Sequence, residues 1–217
     1  MKNTIQIYFN EKAEIYNNID INSIEILASA IINTYENDGY FFIVGNGGAS
    51  AIAEGIAIDL KTHPFVKEDK SITTEIRRMK VICLNESTGV ITGISNDISN
   101  DKIFSEQLKN YLRTDEQYED SLFLALSGSG NSKNILECIN YLKKFKLKTS
   151  CISGRGGGQA CKLVDIPIVI PGTSTFPGQT GKNDNNFHIE DIQNSIGHIL
   201  VGLLKRHVET TPASKKT

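Results

Sequence analysis

Residues 122–132 read LFLALSGSGNS, and this segment decides the fold. Five apolar residues run without a break, as in a strand that is buried on both faces, and six small polar residues follow them. Beyond the polar residues, Ile135, Ile139 and Leu142 recur at helical spacing. The segment therefore predicts a strand, a hydroxyl-rich loop at its carboxyl end, and a helix.

The polar part, residues 127–132, is called the serine loop here, and it predicts a phosphate site. The hydroxyls of Ser127, Ser129 and Ser132 and the amide of Asn131 surround the positive end of the helix dipole, where anions bind. A plain connecting turn without a ligand is the alternative. The loop lacks the Gly-Lys-Ser/Thr of nucleoside triphosphate sites, and Lys133 stands where a dinucleotide site has its third glycine. A sugar phosphate is therefore favoured, without a nucleotide cofactor.

Length and composition predict one domain of ordinary size. The 217 residues are enough for one substantial core, over residues 1–209, with a helical extension at 2–37 and a disordered tail at 210–217. A net charge of −2 argues against a nucleic-acid partner. No leader and no apolar stretch that could cross a bilayer is visible, so we expect a cytoplasmic protein without a membrane partner. The four cysteines lack Cys-x-x-Cys spacing and are expected to be reduced and buried.

Strand and helix patterns alternate along the chain. Apolar runs predict strands at residues 40–44, 81–84, 122–126, 148–152 and 166–170. Helices are expected as a pair within 2–37, from the loop after residue 45 to 61, at 103–112, after the serine loop, and from about 187 to 208. Residues 91–101 are expected to be a short polar segment. The first two helices either cover the sheet or pair with another subunit.

This alternation predicts an α/β fold, a three-layer sandwich with a parallel sheet between helices. All strands then end at one edge of the sheet. Three glycine-rich loops, at residues 45–48, 128–130 and 154–158, lie at that edge, where ligands bind in open α/β sheets.

The order and spacing of three motifs resemble the SIS (sugar isomerase) domain. They are Gly-Asn-Gly-Gly at 45–48, Ser-Asn-Asp at 95–97, and the serine loop, and within the family they look most like phosphoheptose isomerases. The resemblance covers about residues 2–208. It implies a sugar-phosphate substrate and a homo-oligomer, a tetramer, with active sites between subunits. The substrate-binding residues that it implies are Asn46, Gly47, Ser50, Asn96, Asp97, Ser127, Ser129, Asn131, Ser132 and Glu190.

The resemblance also implies catalytic and metal positions. The family carries a His and a Glu one turn apart after Gly-Asn-Gly-Gly, and here Gly55 and Asp59 match them. Its last helix carries a Gln and, two turns later, a His, which Glu190 and His198 match. Asp59 and His198 are thus the implied acid–base pair, and Asp59, Glu190 and His198 a possible three-ligand zinc site. Gly128 stands where the family loop has a threonine, so one hydroxyl is absent.

Helical geometry gives an independent view of the two catalytic candidates. Asp59 borders the stripe formed by Ile52 and Ile56, which predicts a partly buried acid, or else an acid that reaches solvent and pairs with Lys61 or His63.

His198 points away from the apolar face of the last helix, so it is either solvated or directed into a neighbouring subunit. We expect it to act there with Asp59 of the other subunit. His188 is a competitor for this role, and His63 and His207 are expected at the surface.

Two functions remain open from the sequence. One is an aldose–ketose isomerase that converts sedoheptulose 7-phosphate to a heptose 7-phosphate, with a carboxylate moving the proton between C1 and C2 and an imidazole serving the oxygens. The other is a sugar-phosphate-binding regulator or adaptor without catalysis, which the departures at Gly55, Asp59, Gly128 and Glu190 favour.

Overall fold

The computed structural model describes residues 1–67, 76–179 and 185–211. The strands in these ranges are β1 (Tyr40–Gly45), β2 (Lys80–Cys83), β3 (Leu122–Ser127), β4 (Lys148–Ser153) and β5 (Ile166–Val169). The α-helices are α1 (Lys2–Asn18), α2 (Ile21–Glu36), α3 (Gly48–Thr62), α4 (Thr88–Asp97), α5 (Ser105–Leu108), α6 (Lys133–Leu142), α7 (Ala160–Leu163) and α8 (Asn186–Thr210).

The five strands form one parallel sheet in the order β2-β1-β3-β4-β5. The central strand β3 is buried along its whole length, as the apolar run predicts. Gly45 pairs with Leu126, and Ser127 pairs with Ser153. The ends of β1, β3 and β4 therefore lie side by side, and this register brings the three glycine-rich loops to one edge.

Each face of the sheet carries its own core, which confirms the three-layer prediction. On β1, Phe41 and Ile43 pack with α2, α3 and α8 on one face. Phe42 and Val44 point to the other face and pack with α6 and the segment around α5. The alternation of side chains along a strand explains why consecutive residues enter different cores.

The predicted strands agree with the structure to within one residue at each end, but the polar segment between β2 and β3 was interpreted wrongly. Residues 88–97 form helix α4, and the helical prediction over 103–112 reduces to α5. None of the α4 residues is fully buried, and the apolar contact of this helix with the core is limited to the half-buried Ile91 and Ile94, so its apolar stripe is narrow. Its clearest local signal is the cap, where the Ser87 hydroxyl accepts a hydrogen bond from the Val90 N–H at 3.3 Å.

The two N-terminal helices have different surroundings. Helix α2 covers the sheet and buries Leu27 and Ile31. Helix α1 packs beside the start of α8, and of its residues only Ile15 is buried. Its outer face exposes Ile5 and Phe9, at 54% and 60% of their full area.

Helix α8 runs two residues beyond its expected end at 208. Residues 212–217 of the predicted tail and 180–184 of the loop before α8 lie outside the described residues. Within the described ranges, no helix has both the length and the apolar character that crossing a membrane requires. The free thiols Cys83, Cys138 and Cys151 are buried, and that of Cys161 is half-buried.

Candidate functional site

The serine loop joins the end of β3 to the start of α6. The Ser127 hydroxyl accepts the Gly130 N–H at 3.0 Å, and the Ser129 hydroxyl accepts the Asn131 N–H at 3.2 Å. Each hydroxyl uses a lone pair in this way and retains its own O–H as a donor. Ser132 occupies the cap position of α6 without a side-chain capping bond. The loop thus gathers three hydroxyl groups at a helix N-terminus, where an anion can bind.

Asn131 braces the loop. Its amide donates to the Ser129 carbonyl at 3.0 Å and accepts the Gln159 N–H at 3.0 Å. Both ends of the side chain are therefore engaged by protein groups. This residue, predicted to contact the substrate, holds the serine loop against the segment that follows β4.

The first glycine-rich loop is tied to the first turn of α6, directly after the serine loop, by a pair of amides. Asn46 and Asn134 exchange two hydrogen bonds, at 2.7 and 3.0 Å. Asn85 makes a similar exchange with the backbone of Gly45, with both bonds at 2.9 Å. Asn85 and Asn134 could not be identified from the sequence, because they form these hydrogen bonds only when segments distant in the chain come together.

A cavity of about 360 Å³ opens beside these amides. Its lining includes Asn46 and Ser132 together with Asp101 and Lys133. The cavity therefore lies where the glycine-rich and serine loops meet, which is the expected place for a ligand in a parallel sheet.

The other residues that were predicted to bind the sugar lie at two separate places in the structure. Gly47 adopts a φ of 58° and caps α3, where Ser50 is half-buried. Asn96 and Asp97 are exposed at the end of α4 and hydrogen-bond to each other at 2.7 Å. Among the hydrogen bonds of the described residues, none joins the side chains of that pair to the serine loop.

Glu190 lies where α8 begins, against the first glycine-rich loop. A β-carbon on Gly48 would stand 2.6 Å from the Glu190 carboxyl carbon. Asn186, one turn earlier, donates to Glu190 Oε1 at 2.8 Å. The Asn186 Oδ1 lies 2.5 Å from where a β-carbon of Gly128 would be. Glycines 48 and 128 thus make room for these two polar side chains, and Asn186 fills the space of the missing threonine.

Asp59 and His198 meet within one chain. The imidazole Nε2 of His198 is 3.8 Å from Asp59 Oδ2, and His63 Nε2 is 3.6 Å from Asp59 Oδ1. The Asp59 side chain is 26% exposed and that of His198 is 62% exposed. His198 does lie off the core face of α8, as predicted. We expected its polar partner in another subunit, but α3 and α8 pack together and place Asp59 of the same chain beside it.

The acid–histidine pair is well separated from the loops along the same helices. Asp59 follows Gly48 by eleven residues of α3, a rise of about 16 Å, and His198 follows Glu190 by eight residues of α8, a rise of about 12 Å. Within one chain, the Asp59–His198 pair therefore lies several helical turns along α3 and α8 from the end of these helices where the serine loop lies.

The predicted zinc ligands do not converge in a single chain. Glu190 is at the loop end of the helices, whereas Asp59 and His198 lie several turns away. Gly55 offers no donor atom. Among the described residues, no group of three His, Cys, Asp or Glu side chains is placed to hold a metal ion. The donor set of one chain thus does not fit zinc.

The remaining histidines have structural partners. His188, the competitor, is fully buried, and its Nε2 lies 2.9 Å from Glu11 of α1. Although burial raises the pKa of Glu11, hydrogen bonds from Thr175 and Ser174 and the contact with His188 outweigh it and lower this pKa to about 2. His207 was expected at the surface, but it is half-buried and lies 3.0 Å from Glu36.

Comparison with known proteins agrees with this architecture. The family model described as SIS domain matches residues 7–154, so the chain belongs to the SIS domain family. Within that family it is similar in particular to phosphoheptose isomerases. The phosphoheptose isomerase of Sulfurimonas denitrificans is 30% identical over 209 residues, which is 96% of this chain and 95% of that protein.

Two solved structures share the fold. A phosphoheptose isomerase from Francisella tularensis superposes with a TM-score of 0.74 at 21% identity, covering 94% of this chain and 96% of the other. Phosphoheptose isomerase from Neisseria gonorrhoeae gives a TM-score of 0.71 at 20% identity, covering 92% and 93%. At these identities the likeness establishes the fold alone.

Proposed function

We propose that this protein is a sugar-phosphate isomerase, and that it interconverts sedoheptulose 7-phosphate and a heptose 7-phosphate. The observation that carries the proposal is the pairing of the Asp59 carboxylate with the His198 imidazole at 3.8 Å, both accessible to solvent. The serine loop adds hydroxyl donors at a helix N-terminus. The names of the similar proteins support the choice of a seven-carbon sugar phosphate.

The reaction needs two proton movements in the open-chain sugar. A base must move a proton between C1 and C2, and a second group must move one between their oxygens. In our proposal the Asp59 carboxylate serves the carbons and the His198 imidazole serves the oxygens. The hydroxyls of Ser127, Ser129 and Ser132 hold the phosphate and so fix the position of the sugar chain.

The distances favour a site that two subunits share. An extended seven-carbon sugar phosphate spans about 10 Å at single-bond lengths of about 1.5 Å, and a contact of about 3 Å at each end brings its reach to about 16 Å. The rise along α3 from Gly48 to Asp59 is also about 16 Å, so a site within one chain would have to hold the substrate fully extended. We therefore assign the phosphate to the serine loop of one subunit and the proton transfers to Asp59 and His198 of another, in a homo-oligomer, a tetramer. The exposed apolar face of α1 supports such an assembly.

A sugar-phosphate-binding regulator is the second candidate. Gly55 supplies no side chain beside Asp59, and the acid is one methylene shorter than a glutamate. A base displaced by about 1 Å can lose on the order of a hundredfold in rate. The serine loop serves binding equally well in both candidates.

A direct assay of turnover distinguishes the isomerase from the regulator. Conversion of sedoheptulose 7-phosphate is measured by NMR for the wild type, Asp59→Asn and His198→Ala, with added zinc and with a chelator. We expect each variant to lose a factor of about 10²–10⁴ in kcat, the usual contribution of general acid–base catalysis. Asp115→Asn removes an exposed carboxylate from a surface loop and is the matched control.

Binding of the same sugar phosphate is measured in parallel by calorimetry. Wild-type protein that binds the compound but turns it over under neither metal condition would establish the regulator and end the isomerase proposal.

A further inference from the structure

Arg155 has an unusual backbone conformation in the third glycine-rich loop. Its φ is 49°, in the left-handed region that residues other than glycine seldom adopt. Glycines 156, 157 and 158 follow with positive φ as well. Such a conformation costs on the order of 1 kcal/mol or more and persists where the surroundings impose it, often at functional sites. The side chain of Arg155 is exposed in this conformation, just beyond the end of β4.

The loop that carries Arg155 is bound to the serine loop through the backbone. Gly154 donates its N–H to the Gly128 carbonyl at 3.2 Å, and Ala160 donates to the Gly130 carbonyl at 2.8 Å. A β-carbon on Gly158 would stand 2.7 Å from the Gly130 carbonyl carbon. The two loops are therefore in direct backbone contact, and the Cα of Arg155 is fixed one residue from the Gly154–Gly128 bond.

The side chain of Arg155 is directed along the same edge. Its Nη2 lies 3.5 Å from Asn186 Oδ1, at the upper limit of a hydrogen bond. That oxygen lies 2.5 Å from where a β-carbon of Gly128 would be, and Gly128 stands between Ser127 and Ser129 in the sequence. The guanidinium consequently ends next to the serine loop, although it comes from a different segment.

We infer that Arg155 binds the phosphate group of the substrate, with Asn186 orienting its guanidinium. A planar guanidinium presents two parallel N–H donors that match a phosphate monoester. Residues 127–132 include no cation and Lys133 follows them in the cavity lining, so Arg155 adds a second positive charge beside the hydroxyls. Glu190, on the other side of Asn186, repels a phosphate and keeps it on the arginine side. The inference rests on the proposed function, because the anion is taken to be the sugar phosphate.

The test compares variants of the full-length protein by calorimetry, with sedoheptulose 7-phosphate and inorganic phosphate as separate probes. Arg155→Met should bind both about ten- to a hundredfold more weakly than the wild type, the range for a charge-assisted hydrogen bond. Arg155→Lys should recover part of the loss, since it keeps the charge but not the planar fork. Arg206→Met removes an exposed arginine at the far end of α8 and should change neither affinity.

Two further readouts distinguish a phosphate ligand from a structural residue. Raising salt from 50 to 200 mM should weaken binding to the wild type more than binding to Arg155→Met, because the variant has lost a charge contact. Arg155→Gly accepts the positive φ without strain, so it should retain the melting temperature of the wild type and still lose affinity.

The outcomes are separable from those of the proposed function. If Ser129→Ala weakens binding while Arg155→Met matches Arg206→Met, the guanidinium is not a phosphate ligand, but the serine loop remains one. If Arg155→Gly loses affinity only in proportion to a loss of folded protein, the inference is equally overturned. Wild-type protein that binds neither probe would overturn both this inference and the proposed function.

Discussion

Replacement of Gly197 by alanine should loosen the contact between α3 and α8 that brings Asp59 and His198 together. A β-carbon at position 197 would lie 2.5 Å from Cδ1 of Ile56 and closer still to its Cγ1. Ile56 is 1% exposed, and a β-branched side chain in a helix has one strongly preferred rotamer, so it cannot simply turn away. The helices must separate instead.

Two opposing effects determine how far the free energy of unfolding changes in Gly197→Ala. Overpacking a well-filled contact costs about 1–3 kcal/mol. Replacing glycine by alanine inside a helix recovers about 1 kcal/mol. The net free energy of unfolding should therefore fall by about 0–2 kcal/mol in Gly197→Ala. Gly55→Ala is the matched control, because no atom lies within 4 Å of its added β-carbon, and it should gain about 1 kcal/mol.

Urea unfolding at one fixed subunit concentration measures both variants. The double variant Gly197→Ala with Ile56→Ala should be less destabilised than the sum of the single variants, since the remaining β-carbon of residue 56 lies 3.6 Å away. Because position 197 precedes His198, Gly197→Ala should also reduce kcat. If Gly197→Ala proves as stable as Gly55→Ala, the tight helix contact and the reasoning from it are wrong.

Two other predictions follow from the site and from the docking of α1. The lowered pKa of Glu11 stabilises the fold; this contribution is complete above the unfolded pKa near 4.5 and is lost as the pH falls toward 2. Glu11→Gln should therefore flatten the pH dependence of the urea midpoint. Glu14→Gln, at an exposed position, should not. Mixed oligomers of Asp59→Asn and His198→Ala should stay inactive, because one chain supplies both groups. Mixed oligomers of Asp59→Asn and Ser129→Ala should regain activity. Recovery in the first mixture alone would show that the acid and the histidine act from different subunits.

The fold was largely predictable because its signals are local. The apolar run before Ser127 predicts β3 whatever lies around it, since burial on both faces requires an unbroken apolar strand. The start of α2 likewise depends on a local contact, because Asp20 at its N-cap accepts the Asn22 N–H at 3.0 Å. Helix α4 escaped prediction because its apolar spacing is confined to Ile91 and Ile94 among polar residues, and neither is fully buried.

By itself, the sequence determined the strand, loop and helix units and the edge at which the glycine-rich loops gather. Hydrophobic periodicity and glycine placement report the burial and backbone freedom of each segment, and both act over a few residues. Only the tertiary structure decided that His198 lies beside Asp59 and that Asn186 reaches Gly128. Those contacts depend on which helices become neighbours and at what height, and a periodic pattern specifies the buried face of a helix but not its partner or its axial position.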